Sequence, residues 1–208
     1  MTFHVKHPLF SSAHDVSRET LDKLRAYEAL VLKWSAKLNL VSARDQSLIW
    51  SRHIEDSLAL VKLIPADTER AIDIGSGAGF PGLVLAIATG VHFTLIESDQ
   101  RKAAFLFEAV SSLQINAKIL PVRIEAAKLE PAPLVTARAL AALPRLLEWA
   151  TPLLAPGGVF LFPKGRGAEE ELTLAAKHWQ MKIERFPSMS DPGSLILRLS
   201  EVRHVPKA

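Results

Sequence analysis

Asp73-Ile74-Gly75-Ser76-Gly77-Ala78-Gly79-Phe80-Pro81-Gly82 is the stretch on which the reading of this chain turns. The apolar run Ala71–Ile74 leads into it and the apolar segment Leu83–Thr89 follows, so it joins a strand to a helix, the context that gives a glycine-rich loop meaning. Glycines let the backbone turn sharply and let a ligand approach without a Cβ in the way. A carboxylate, Glu97, ends the next apolar run, Phe93–Ile96, about where an acid hydrogen-bonds a ribose. A turn serving only strand–helix packing has no need of that acid, so the loop reads as a ligand site.

Two ligands compete for it. NAD would use Gly77, Gly79 and Gly82, with its pyrophosphate on the helix N-terminus. S-adenosylmethionine has no pyrophosphate, and its loop carries an acid-x-Gly-x-Gly-x-Gly pattern, met by Asp73, Gly75, Gly77 and Gly79. Asp73 would be unwelcome beside a pyrophosphate but suits the cationic amino group of a methionine moiety. The loop therefore reads as a site for S-adenosylmethionine.

Outward from the loop, short apolar runs alternate with helical segments. Ala71–Ile74, Phe93–Ile96, Ala117–Val122, Leu134–Ala137 and Val159–Phe162 read as strands. Leu83–Thr89, Arg101–Leu113, Leu143–Leu154 and Glu169–Trp179 read as helices. Such alternation predicts an α/β fold, a mostly parallel sheet covered on both faces. Met181–Phe186 and Ser194–Leu199 flank Asp191-Pro192-Gly193 with no room for a helix, which predicts an antiparallel hairpin at one sheet edge. That ending also favours a Rossmann-like methyltransferase sheet. Upstream, Leu21, Leu24, Tyr27, Val31, Trp34 and Leu38 form one apolar stripe at spacings of three and four, capped by Ser17 or Thr20 and closed near Asn39. A second helix is expected from near Asp45 to Ile64, closed by Pro65. No low-complexity linker follows, so residues 1–66 read as a helical appendage packed on a main domain of residues 67–208.

Composition narrows the function classes. With 208 residues, 49% of them hydrophobic, the chain can bury a core. It holds no cysteine, which excludes disulfides, a thiolate nucleophile and a Cys-based zinc site. Met1–Phe10 carries His4, Lys6, His7 and Pro8 without an apolar core, so no signal peptide is expected there. Ile74–Ile96 lacks Asp, Glu, Lys and Arg and is long enough on paper to span a bilayer, but its glycines and Pro81 divide it into strand, turn, helix and strand. No membrane partner and a cytoplasmic location are expected. The net charge of +3 is a weak pointer to a nucleic-acid partner.

Several further segments resemble one family, ribosomal RNA small subunit methyltransferase G, also called glucose-inhibited division protein B. They are Trp34…Asn39-Leu40, Arg52-His53-Ile54-Glu55-Asp56-Ser57-Leu58, the loop with Phe80-Pro81-Gly82, and Glu97-Ser98-Asp99-Gln100-Arg101-Lys102. Ala137-Arg138-Ala139, Trp149…Pro152-Leu153-Leu154 and Lys164-Gly165 extend the likeness over roughly residues 25 to 170. The resemblance implies transfer of a methyl group from S-adenosylmethionine to N7 of one guanine in 16S rRNA, met as RNA or as a ribonucleoprotein particle. It also implies that Gly75 and Phe80 contact the cofactor, that Ile124 and Glu125 sit beside its adenine, and that Arg138 completes the pocket. Val41 stands where the family commonly has Thr, and Glu97 where Asp is commoner.

N7 of guanine already carries a free lone pair, so no proton need be removed before attack on the methyl carbon. Holding the base in line is then the main task, and no residue is assigned as a catalytic base. Arg138, at the carboxyl end of a strand, lies at the edge where open α/β sheets bind ligands. Lys164 and Arg166 follow the fifth strand at the same edge and are candidates for RNA phosphates or a merely solvated loop. Arg52 and His53 are candidates for the RNA side or for helix packing. A metal at His53 is not expected, since no second His or Cys stands three or four residues away. The tryptophans at 34, 50, 149 and 179 read as core. The alternative from another class is a non-catalytic RNA-binding or ribosome-assembly protein on the same scaffold, whose mark would be a damaged glycine loop.

Overall fold

The alternation after Arg70 becomes one seven-stranded sheet in the computed structural model, which describes residues 16–205. The strands are β1 (Arg70–Ile74), β2 (His92–Ile96), β3 (Ala117–Leu120), β4 (Ala132–Thr136), β5 (Leu154–Lys164), β6 (Trp179–Pro187) and β7 (Leu195–His204). Their order is β3-β2-β1-β4-β5-β7-β6. The first five are parallel, and β7 runs antiparallel to both β5 and β6. The terminal hairpin is thus present, with β6 on the outside. The Met1–Phe10 segment lies outside the described residues.

Side chains alternate between two faces, as the pleat requires. Ala71, Leu134, Val159 and Leu161 pack into one core, whereas Ile72, Ile74, Val135, Phe160 and Phe162 pack into the other. Helices α3 (Gly82–Thr89) and α4 (Gln100–Ser112) contribute Leu83, Val84, Phe105 and Leu106 to the first. Helices α5 (Leu143–Ala150) and α6 (Ala168–Ala175) contribute Leu146, Leu147 and Leu172 to the second. Both faces are covered, which parallel strands need because they are apolar on both sides.

Helix α1 (Arg18–Ser35) starts where Ser17 accepts a hydrogen bond from the Thr20 amide, satisfying one of the orphan donors of the first turn. Leu24, Tyr27 and Val31 are fully buried from one face of it, in the same core as Leu83 and Val84. Burying a side chain of that size stabilises by about 1.5–3 kcal/mol. The single helix expected from Asp45 to Ile64 is instead four short pieces. A 3-10 turn, Ala43–Leu48, precedes a π turn, Trp50–Ile54, which runs into α2 (Glu55–Leu58), and a second 3-10 turn covers Val61–Leu63. The Ser57 hydroxyl bonds back to the His53 carbonyl at 2.6 Å, a contact that bends helices. Two other ends differ. Helix α5 stops at Ala150 because Pro152 has no amide to continue it, and Trp179 lies outside α6, at the start of β6, where it pairs with His204 of β7.

Strand β1 lies between β2 and β4, so connections leave it in opposite directions. A crevice opens at the carboxyl ends of strands at such a switch point. The glycine loop, Glu97 and Arg138 all follow strands at that edge.

Candidate active site

The loop leaves β1 with Gly75 at φ +64°, Gly77 at +57° and Gly79 at +88°, all in the left-handed region that penalises a Cβ. Gly75 has a second reason to be glycine: a Cβ there would lie 2.5 Å from Leu140 Cδ1. The Gly75 and Ser76 amides both donate to the Ile96 carbonyl. Glu97, buried, closes the arrangement. Its Oε2 accepts from the Gly77 amide and its Oε1 from the Asp99 amide, each at 2.8 Å. Asp99 in turn caps α4 by accepting from the Arg101 and Lys102 amides.

Gly75, Gly77, Glu97, Ile124, Glu125 and Trp149 are among the walls of a cavity of about 270 Å³. Five of these six are residues expected to hold the cofactor. Trp149 is the sixth, read from sequence as core, and its Nε1 is buried without a hydrogen-bond partner among the described residues. Two other expected residues lie beneath the loop instead of on the cavity wall. Asp73 is fully buried; the Thr136 hydroxyl donates to its Oδ1 at 2.6 Å, and Oδ2 takes no hydrogen bond of full geometry among the described residues. Burial pushes its carboxyl up to about 6, against the hydrogen bond from Thr136, with Glu97 adding to the rise. Phe80 is buried against the His53 ring, stacked at 4.9 Å, and meets Tyr27 edge-on at 5.5 Å. The Tyr27 hydroxyl donates to the Ala78 carbonyl, tying the loop to α1.

These residues fit S-adenosylmethionine better than a dinucleotide. A Cβ at Gly82 would fall 2.9 Å from Asp73 Oδ2, so the α3 N-terminus that could take a pyrophosphate faces a carboxyl. The cavity offers a ribose-height carboxylate, a glycine face, and apolar and aromatic walls at Ile96, Val122, Ile124 and Trp149.

A second, larger cavity of about 540 Å³ adjoins the first, and Ala139 and Leu140 line both. Arg138 lines this larger space, not the smaller one. Its Nη2 donates to the Arg52 carbonyl at 2.8 Å and its Nη1 is buried without a hydrogen-bond partner among the described residues. Burial lowers the pKa of its guanidinium, and the Asp56 charge opposes that. Arg52 pairs with Asp45 at 2.6 Å. Neither ring nitrogen of His53 has a hydrogen-bond partner among the described residues, and burial, reinforced by the Arg138 charge, pushes the ring down to about 4. His53 is therefore neutral near pH 7.

Lys164 also lines the larger cavity, but its charge is engaged inside the protein. Its side chain is 8% exposed, with Nζ 2.6 Å from Glu171 and donating to the Ala141 carbonyl at 2.8 Å. Glu171 accepts from the Leu143 amide as well. Those bonds hold the connection after β4, where Ala139 sits at φ +52°, a left-handed conformation that costs a non-glycine residue about 1–2 kcal/mol. Arg166, by contrast, is 76% exposed and pairs with Asp191 at 3.0 Å. It is on neither wall.

Sequence reading overlooked Trp149, Leu140 and Asp56. The apolar stripe of α5 gives Trp149 no mark that separates it from a core residue. The burial of Asp56 depends on Ser188, 132 residues away in sequence, whose hydroxyl donates to it at 2.8 Å. Among the described residues no cluster of His, Cys, Asp or Glu could hold a metal ion, and no helix is long and apolar enough to cross a membrane.

Known proteins resemble the chain at two depths. Among solved structures, an O-methyltransferase from Bacillus cereus in complex with SAH superimposes with a TM-score of 0.56 at 13% identity, covering 89% of this chain and 91% of that one. The N-methyltransferase NodS from Bradyrhizobium japonicum, in complex with S-adenosyl-L-homocysteine, gives 0.57 at 16% identity, covering 89% and 99%. At those identities the likeness is one of fold, the Rossmann-like methyltransferase sheet. Sequence relatives go further. Ribosomal RNA small subunit methyltransferase G of Acidiphilium cryptum is 63% identical, covering 93% of this chain and 96% of the relative. Its namesake in Gluconobacter oxydans is 52% identical, covering 91% and 98%. The family model GidB, rRNA small subunit methyltransferase G, matches residues 20–193. The chain belongs to the rRNA small subunit methyltransferase G family.

Proposed function

We propose that this protein transfers a methyl group from S-adenosylmethionine to N7 of a guanine in 16S rRNA, as free RNA or within a particle, in the cytoplasm. The observation that carries the proposal is the pair of adjoining cavities that share Ala139 and Leu140. One suits the cofactor and the other has room for a base beside it. The names of the close relatives support the substrate class.

When bound, S-adenosylmethionine supplies an electrophilic methyl carbon on a sulfonium. The chain's residues need only orient the two reactants, since N7 attacks with its own lone pair. Glu97 takes the ribose, Ile124 and Glu125 flank the adenine, and the Gly75 and Gly77 backbone lies against the methionine portion. Asp73 and Phe80 act from below, holding the loop. Arg138 lines the larger cavity alone, so in place of the direct cofactor contact that the resemblance implies it acts from the substrate side, next in sequence to the shared Ala139 and Leu140. Arg52 and His53 form part of the substrate wall. Of the two cations at the end of β5, Arg166, exposed and paired only with Asp191, is placed to position a phosphate, while Lys164 holds the loop that separates the cavities. Residues 1–66 act as an appendage of 67–208, and the shared core of α1 with α3 supports that reading.

Calorimetry tests the cofactor assignment. S-adenosylmethionine and its demethylated product should bind, and Gly75→Val should abolish binding by driving a side chain into Leu140 and the cavity. Binding of NAD with neither sulfur compound would contradict it.

A further inference from the structure

The larger cavity is lined by the carboxylates of Asp45, Asp56, Glu171 and Asp191. Three of them are neutralised at close range: Asp45 by Arg52 at 2.6 Å, Glu171 by Lys164 at 2.6 Å and Asp191 by Arg166 at 3.0 Å. Asp56 differs. It has no ion pair within salt-bridge distance among the described residues and takes a single side-chain hydrogen bond there, from Ser188. Ser188 Oγ is itself committed, because it accepts from the Ser190 amide at 3.2 Å and the Asp191 amide at 3.4 Å while its proton goes to Asp56 Oδ1. The carboxylate is therefore fixed in orientation. At 8% exposed the residue is largely covered, yet it lines the cavity, and among the described residues only Ser188 donates to its carboxylate.

Arg138 balances part of this charge at longer range but makes no hydrogen bond to it, so the carboxylate keeps acceptor capacity toward the cavity that donors on a ligand would satisfy. A purine offered to a methyl donor through N7 turns its opposite edge away. In guanine that edge carries N1–H and the N2 amine, two adjacent donors that a carboxylate can accept together. Adenine has an acceptor at N1 and no amine at position 2, so it would leave Asp56 unpaired and facing a lone pair. Asp56 and Ser188 are absent from the walls of the cofactor cavity, which keeps this carboxylate apart from the cofactor itself.

We infer that Asp56 is the residue that selects guanine, accepting N1–H and the N2 amine of the target base while N7 faces the methyl group. The inference rests on the guanine-N7 reading of the previous section and adds to it the group that distinguishes the base. A site that hydrogen-bonds a substrate group rejects analogues lacking it, because its own polar atoms are then stranded.

Inosine separates the possibilities, for it keeps N7, O6 and N1–H and lacks only the N2 amine. Small-subunit rRNA is prepared by ligation with guanosine or inosine at the position that the wild-type protein methylates, and methyl transfer is measured on both, free and in reconstituted particles. The wild-type protein should prefer guanosine by roughly ten- to a hundredfold in kcat/KM, the value of one charge-assisted hydrogen bond. Asp56→Asn should lower kcat/KM on guanosine by a similar factor and bring the guanosine-to-inosine ratio close to one. Its affinity for S-adenosylhomocysteine should stay at the wild-type value. Equal wild-type rates on the two RNAs overturn the inference without recourse to any variant, as does an Asp56→Asn protein that keeps the wild-type ratio. No methylation of the guanosine RNA by the wild-type protein overturns the functional reading, and the inference with it.

Discussion

At Asp73 the chain keeps a carboxyl group where water does not reach it, beneath the loop that meets the ligand. The Thr136 hydroxyl supports it, but burial still pushes its pKa up to about 6 from an ordinary 3.8. The folded state thus holds the proton more tightly than the unfolded state. Its stabilising contribution is complete below about pH 4 and is lost as pH rises through about 6. A shift of about two units corresponds to roughly 3 kcal/mol. His53 acts in the opposite sense: its ring is pushed down to about 4, so its contribution is present above pH 6.5 and lost as pH falls toward 4. The two slopes oppose each other in the wild-type protein. Comparison with Asp73→Asn isolates the first. Urea unfolding at a series of pH values should show the wild type losing about 3 kcal/mol relative to the variant between pH 4 and 7. A difference that does not change with pH would mean that Asp73 is not held at a raised pKa.

The connection between β5 and α6 shows how neighbouring cations take different work. Lys164, the last residue of β5, turns inward to Glu171 and the Ala141 carbonyl, whereas Arg166, two residues on, stays in solvent. If Arg166 positions an RNA phosphate, Arg166→Ala should reduce the slope of log affinity against log salt by about 0.7–0.9, the release of one counterion. It should leave cofactor affinity untouched. Lys164→Ala should lower thermal stability and turnover, because Glu171 is left without its partner, and should keep the salt slope. Filter binding over a salt series decides it: an unchanged slope for Arg166→Ala rules out the phosphate role. The same segment marks where sequence stops being informative. Strand runs, the glycine loop and Glu97 were legible because each rests on local pattern, apolar period or glycine spacing. The split between Lys164 and Arg166 was not, since it depends on where α6 and the β6–β7 turn place Glu171 and Asp191. The broken helix before Ile64 escaped for a similar reason. Its apolar pattern suits a helix, and only the Ser57 contact to the His53 carbonyl and the packing against the loop break it up.

Across the whole molecule, one core joins α1 to the glycine loop and the sheet, through Tyr27 at the Ala78 carbonyl and beside Phe80. Fold, cofactor class and family were all within reach of the sequence, because the loop motif and the longer resemblance converge. The division into two cavities was not, because Leu140 and Trp149 carry no chemical mark until the chain is folded. The proposed product suits that division, a cofactor-sized cavity with a second cavity beside it, because attack by N7 requires no group to remove a proton. Methylation at N7 leaves a fixed positive charge on guanine, which makes the glycosidic bond labile and the RNA cleavable by reduction followed by aniline. The measurement is to incubate small-subunit rRNA, free and as particles, with the protein and S-adenosylmethionine and then map aniline cleavage along the RNA. One new aniline-sensitive guanine is expected. Methyl incorporation without such a site, recovered as an N2-methyl or ribose-methyl nucleoside, would contradict it.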